Sequence, residues 1–263
     1  MSQKDPRSQP VPVKASAVFL SAGNRFSMED CAVVNEEKRI FVIADGFGGP
    51  QPGATAAKTS CEAVQGFLCR EAGDEDATLP FVLKSYFSLA GNVLFNSLVH
   101  ANRKVQALNK GKGVHERGGA SVLAGFMDDD LLALANVGAC SAWLFRDGKS
   151  RELVTPRTLG RLQDPFAEGA QIDPTLQVPL SAVGIKDDLE PEIFEVRVRP
   201  GDWLIFMTDG LPAAIREKLL RLQIDSAGAL AGDSCQSALK LLKAAEAETG
   251  TLTDNTGVAL VIF

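Results

Sequence analysis

Four short acidic signatures lie far apart in the chain: Met28-Glu29-Asp30, Asp45-Gly46, Asp209-Gly210 and Asp254-Asn255. Carboxylates of this kind suit a hard divalent cation, which takes oxygen ligands and shares its shell with water. The middle pair is the most informative. Ile40 to Ala44 and Trp203 to Thr208 are short apolar runs that read as buried strands, and each ends in Asp-Gly. An aspartate leaving a buried strand is poorly placed for packing and well placed to hold a cation. The following glycine frees its carbonyl to turn toward the same ion. Arg25 lies a few residues before Glu29 and Asp30, and its planar guanidinium suits two phosphate oxygens. The only two histidines, His100 and His115, have no partner at ligand spacing, which disfavours zinc.

The elements that must position these residues follow from periodicity. Strands are expected at about 15–20, 30–35 and 38–44, followed by glycine and proline punctuation over 48–53 and a helix from Ala54 to Leu68. Apolar residues at three- and four-residue steps predict one long helix, or two joined near Gly91, from Leu79 to Leu108. After Gly118 the period changes to that of strands at 120–126, 131–137, 142–145 and 150–154. Asp147-Gly148 turns the last hairpin, and the group reads as an antiparallel meander. Prolines 156, 165, 174 and 179 mark an irregular stretch, expected to be a loop or flap over 156–180. Strands at 192–198 and 203–208, helices at 212–222 and 234–247, and a strand at 257–263 complete an α+β pattern with segregated layers.

With 263 residues and 45% hydrophobic composition, the chain can bury a substantial single core. Residues 1–14 are polar and read as a flexible tail, leaving 15–263 as one domain. A net charge of −6 and a pI near 5.1 disfavour nucleic acid or an anionic membrane as partner. Five unpaired cysteines without a Cys-x-x-Cys pair suit reduced, buried thiols in a cytoplasmic protein. No apolar run approaches the ~18 residues of a membrane span.

In this order the motifs resemble the metal-dependent serine/threonine protein phosphatases, the PPM or type 2C family, across roughly residues 15–263. Arg25 to Asp30 resembles the family's opening Arg…Glu-Asp motif, and Val42 to Gly49 is similar to its Val-Ala-Asp-Gly-Met-Gly-Gly. Gly119-Ala120-Ser121, Leu134 to Gly138, Ala182-Val183-Gly184, Pro200-Gly201-Asp202, Thr208 to Leu211 and Asp254 to Thr256 continue the series. The resemblance implies a four-layer α-β-β-α sandwich, two stacked antiparallel sheets flanked by helices, with two Mn²⁺ or Mg²⁺ ions at one edge. It implies that Asp45 bridges the ions, that the Gly46 carbonyl and Glu29 serve one of them, and that Asp209 and Asp254 hold the other. Asp30 would orient neighbours and Arg25 would bind the substrate phosphate. A metal-bridging hydroxide would then attack phosphoserine or phosphothreonine. A phosphoprotein substrate, a cognate serine/threonine kinase and a monomeric state are implied partners and form.

Two positions depart from the family. Pro50 stands where a histidine is thought to protonate the leaving group. Ala139 replaces the aspartate that holds a third, weaker metal in many bacterial members, so that ion is expected to be absent. These departures motivate an alternative, a weak or inactive pseudophosphatase that binds phosphoproteins. A hydrolase of small phosphorylated metabolites is a third reading. His115 is a candidate substitute acid. Cys140 to Arg146 satisfies the Cys-x₅-Arg spacing of thiol phosphatases, but Trp143 to Phe145 followed by Asp147-Gly148 reads as a strand and hairpin, leaving Cys140 a buried thiol. Asp128-Asp129-Asp130 and Asp187-Asp188 read as solvated turns.

Overall fold

The computed structural model describes residues 10–71, 83–164, 174–226 and 228–263. Two five-stranded antiparallel sheets stack face to face. One is ordered β1 (Ala15–Ser21), β10 (Thr256–Ile262), β9 (Trp203–Met207), β6 (Ser141–Arg146), β7 (Lys149–Val154). The other is ordered β2 (Asp30–Asn35), β3 (Ile40–Phe47), β4 (Gly119–Asp128), β5 (Leu131–Val137), β8 (Glu192–Arg197). Helices α1 (Pro50–Glu71) and α2 (Leu89–Asn109) cover the second sheet, and α4 (Ala213–Asp225) and α5 (Ala231–Ala247) flank the first. A short α3 (Leu159–Gln163) follows β7. This is the expected four-layer α-β-β-α sandwich.

Strand alternation explains why there are three apolar layers. Along β3, Ile40, Val42 and Ala44 face α1 and α2, whereas Phe41 and Ile43 enter the space between the sheets. Both faces are buried, so the strand reads as an unbroken apolar run. Phe206 of β9 and Phe263 approach Phe41 in the middle layer, with ring centroids 6.0 and 6.4 Å away. Beneath α5 lies an apolar void of about 10 Å³ lined by residues such as Phe19 and Leu242. It offers no polar partners for water and reads as imperfect packing.

Four sequence expectations need correction. Helix α1 starts at Pro50 rather than Ala54. The first-turn N–H groups of a helix lack intrahelical acceptors, so Pro50 and Pro52 forfeit nothing there. Helix α2 starts at Leu89, because the Ser88 hydroxyl accepts from the Gly91 N–H at 3.0 Å and caps it. Leu83 and Phe87 therefore lie outside the helix, and Leu79 and Val82 fall outside the described residues. Gly91 is no junction: a Cβ there would sit 2.4 Å from Glu195 Oε1 of β8.

The expected meander is split. β4 and β5 pair in one sheet, whereas β6 and β7 belong to the other. Gly138 makes the crossing at φ +102°, where a Cβ would lie 2.5 Å from Ser121 Oγ. The tail expected over 1–14 also shortens. Val11 is buried between the sheets, its N–H donates to the Asp129 carbonyl at 3.4 Å, and the Lys14 N–H donates to the Ile262 carbonyl at 2.8 Å. Residues 1–9 lie outside the described residues.

Asp202, in the turn before β9, ties the fold together. Its carboxylate accepts from Arg146 Nε at 2.7 Å and from the Arg199 N–H at 2.8 Å, and its carbonyl accepts from the Phe263 N–H at 3.0 Å. The Asp202 side chain is 2% exposed and that of Arg146 27%. Asp202→Asn is expected to cost about 2–3 kcal/mol, below the full penalty for breaking a buried pair because Arg146 reaches water. An unchanged urea unfolding midpoint would contradict this.

Candidate metal centre

The site assembles where the two sheets meet at one edge. Antiparallel pairing of β2 with β3 sets Asp30 directly opposite Asp45, and pairing with β4 sets Ser121 on the other side of Asp45. Like charges facing across a ladder weaken it, so this placement serves something other than the sheet. The Thr208 hydroxyl, just beyond β9, donates to Asp30 Oδ2 at 2.8 Å and accepts from the Gly257 N–H at 2.8 Å. Asp30 thus joins the two sheets directly behind Asp45.

Asp209 follows Thr208 out of β9, and Asp254 precedes β10. Asn255 anchors the loop that carries Arg25 and Glu29. Its side-chain oxygen accepts from the Glu29 N–H at 2.6 Å, and its amide donates to the Ala22 and Ser27 carbonyls at 3.0 and 2.9 Å. The Glu29 carbonyl accepts from the Gly46 N–H at 3.1 Å. Gly53, in the first turn of α1, leaves room for the Glu29 carboxylate; a Cβ there would sit 2.2 Å from Glu29 Oε2.

Arg25, Glu29, Asp45, Gly46, Asp209 and Asp254 all line one cleft of about 470 Å³. Its other walls include Phe26, Phe47, Pro50, Ala139, Gln177 and Pro179. Asp45 lies within β3, two residues before its end, and Asp209 lies two residues past β9. The expectation of two carboxylates at strand ends is thus met by Asp209 alone.

Burial and mutual repulsion dominate the electrostatics. Desolvation, then the charges of Asp209, Asp30 and Asp254, push the Asp45 carboxyl well above the usual carboxylate range. Asp30 is pushed up to about 7, chiefly by burial, against the opposing hydrogen bond from Thr208. Asp209 opens to the cleft at its surface, yet the surrounding protein displaces most bulk water from its carboxyl. Desolvation and the neighbouring Asp254 push it up to about 6. Asp30 Oδ1 is buried without a hydrogen-bond donor. Asp254 is drawn to Arg25 Nη2 at 2.7 Å, and the Asp30 and Asp45 carboxyls face each other. Among the described residues, no three such groups converge on one point.

The donor set nevertheless fits hard divalent ions. It is all oxygen, rich in carboxylates, and desolvated to the point where charge can be retained only with a cation nearby. Neither histidine lines the cleft. His100 packs on Phe67 with centroids 5.4 Å apart, and His115 is exposed in a single 3₁₀ turn. Neither is placed to replace an acid at Pro50. Cys140 is fully buried, and burial with the nearby carboxylates pushes its thiol well up, which leaves it inert. Cys61 and Cys235 are also buried, but Cys31 is half-buried and Cys69 exposed, so burial does not hold for all five.

Sequence reasoning quoted Asn255 only as part of a motif and missed its structural role. Phe26 and Phe47 carried one available signal, adjacency to Arg25 and Gly46. Gln177 and Pro179 carried none, since they arrive from the irregular stretch through tertiary folding.

No protein-family profile matches the chain. Over 196 residues it is 24% identical to the serine/threonine phosphatase stp of Listeria innocua, covering 71% of this chain and 74% of that protein. Its fold superimposes on the PPM Ser-Thr phosphatase MsPP from Mycobacterium smegmatis with a TM-score of 0.74 at 21% identity, over 96% of this chain and all of that one. The catalytic domain of the serine/threonine protein phosphatase PstP, solved with two manganese ions, matches with a TM-score of 0.70 at 21% identity, over 94% and 97% of the two chains. The fold is the PPM phosphatase sandwich. The ordered acidic motifs at its edge are similar to those of the bacterial PPM phosphatases.

Proposed function

We propose that this protein is a Mn²⁺- or Mg²⁺-dependent phosphatase that hydrolyses phosphoserine and phosphothreonine in proteins. The observation that carries the reading is the convergence of Arg25, Glu29, Asp45, Asp209 and Asp254 from four distant segments on one open cleft. Asp45 and the Gly46 carbonyl would hold both ions with Glu29, Asp209 and Asp254. When bound, the ions supply an activated water and positive charge for the phosphoryl oxygens.

The chain's own residues do the rest. Asp30, fixed by Thr208, holds Asp45 in position. Asn255 fixes the Arg25 to Glu29 loop. Arg25 exchanges Asp254 for the substrate phosphate. That exchange is cheap, because the ion pair is exposed, with side chains 61% and 46% open, and such pairs contribute little. Pro50 lines the cleft but offers no proton, so the serine or threonine oxygen must take its proton from water.

Residues 11–263 then act as one phosphatase domain, with the stretch over 156–180 contributing one wall of the cleft through Gln177 and Pro179. Ala139 lines the cleft without a carboxylate, which supports two ions rather than three. The expected setting is a monomer in the cytoplasm, opposing a serine/threonine kinase. Among the described residues, no helix is long and apolar enough to cross a membrane. The binding-module alternative gains no support beyond Pro50 and Ala139, since Glu29, Asp45, Asp209 and Asp254 all line the cleft.

Phosphopeptide hydrolysis is expected to rise with added Mn²⁺ and saturate. Metal-saturated protein that is inert on a broad phosphopeptide panel would overturn the reading. Turnover of sugar phosphates in preference to phosphopeptides would redirect it to a metabolite phosphatase.

A further inference from the structure

Among the described residues, Phe26 is the most exposed large hydrophobic side chain, at 109% of its extended-peptide value. It follows Arg25 directly, on a loop held by Asn255 through the Ala22 and Ser27 carbonyls. The residue is therefore presented by a fixed backbone. It also lines the cleft, with Phe47, Pro50 and Pro179 as apolar companions. The lining also carries the acidic Glu29, Asp45, Asp209 and Asp254, and Arg25 is the one cationic side chain among the described lining residues.

We propose that Phe26 is a specificity-determining residue: it receives an apolar side chain immediately flanking the phosphoserine of a peptide substrate. The inference rests on the phosphatase reading above and names its substrate class. Placing the phosphate on Arg25 brings the neighbouring peptide residue against the adjacent Phe26 ring. An apolar flanking residue covers that ring and removes both surfaces from water, whereas a polar one leaves them wet. An acidic flanking residue gains nothing from the apolar ring and finds no second cationic side chain among the described lining residues. The contact is partial, so the expected preference for leucine over serine is about tenfold in kcat/KM, expressed mainly in KM.

The test uses the full chain saturated with Mn²⁺. Phosphoserine peptides that differ only in carrying Leu, Ser or Glu before or after the phosphoserine are compared, together with N-acetylphosphoserine amide, which lacks neighbours. The expected result is a leucine preference of about tenfold on one side, falling to about one in Phe26→Ala and retained in Phe26→Leu. Equal rates for Leu and Ser peptides on both sides, or an undiminished preference in Phe26→Ala, would overturn the assignment while leaving the phosphatase reading intact. No turnover of any ester, the amide included, overturns both.

Discussion

Asp45→Asn is expected to lower phosphopeptide turnover by about 10³-fold or more, because on the proposed function it removes a carboxylate that would hold the ions. The same substitution is expected to stabilise the protein without metal by about 0.5–2 kcal/mol at pH 8. The reason lies in the pairing of β2 and β3. Asp45 faces Asp30, whose Oδ1 is buried without a donor, and the amide that the substitution introduces can donate to it. Loss of activity with gain of stability is the signature of carboxylates kept for a ligand rather than for the fold. A variant both inactive and less stable would instead assign Asp45 a structural role.

The pH dependence follows from the same groups. Asp30 and Asp209 are pushed up to about 7 and about 6, above the ~3.9 of an unfolded aspartate. The folded state therefore binds more protons than the unfolded one between these values. Their stabilising contribution is complete below about pH 4 and is lost as pH rises through about 6 to 7. Mn²⁺ takes over the role of those protons, so its stabilising effect should grow over the same window. Thermal unfolding with and without Mn²⁺ across pH 5–8 measures this directly; a metal effect that shrinks with rising pH would contradict it.

Pro50→His is expected to raise turnover of phosphoserine peptides by about 10–100-fold, within the range a positioned general acid supplies. Pro50 is the first residue of α1, exposed, and part of the cleft lining. Its missing N–H serves no helical bond, so histidine is tolerated there. The gain should depend on the leaving group: a serine alkoxide needs a proton, whereas p-nitrophenolate leaves readily without one. The variant's advantage should therefore be large on phosphopeptides and small on p-nitrophenyl phosphate. Its rate on peptides should fall as pH rises through about 6.5, where the new imidazole loses its proton. Equal gains on both esters would show that the substitution acts through binding rather than proton transfer.

Much of the fold was legible because both sheets are buried on both faces in their central strands. Ile40 to Ala44 and Trp203 to Met207 announce themselves as unbroken apolar runs, and Asp147-Gly148 turns its hairpin with both residues at positive φ. The expected strand positions at 15–20, 30–35, 131–137 and 142–145 agree with the observed elements to within a residue. Helix starts were less legible, since α1 begins on a proline that looks like a breaker and α2 begins at a serine cap inside an apolar periodicity. The sheet change at Gly138 was hidden for a different reason. Local patterning gives strand after strand, but which sheet each one joins depends on partners far away in sequence.

The acidic motifs alone pointed to an oxygen-ligand centre for hard cations with an arginine beside it, and the family resemblance added that Pro50 stands where a proton-donating histidine is expected. Residue type fixes those properties, and folding cannot change them. Only the tertiary structure decided that β2 and β3 set Asp30 against Asp45, that Asn255 holds the loop of Arg25 and Glu29, and that Phe26 stands uncovered at the mouth of the cleft. These are relations between segments far apart in the chain, such as the bond from Asn255 to Ala22 across 233 residues. They depend on strand register and on burial, which arise only when the two sheets close on one another.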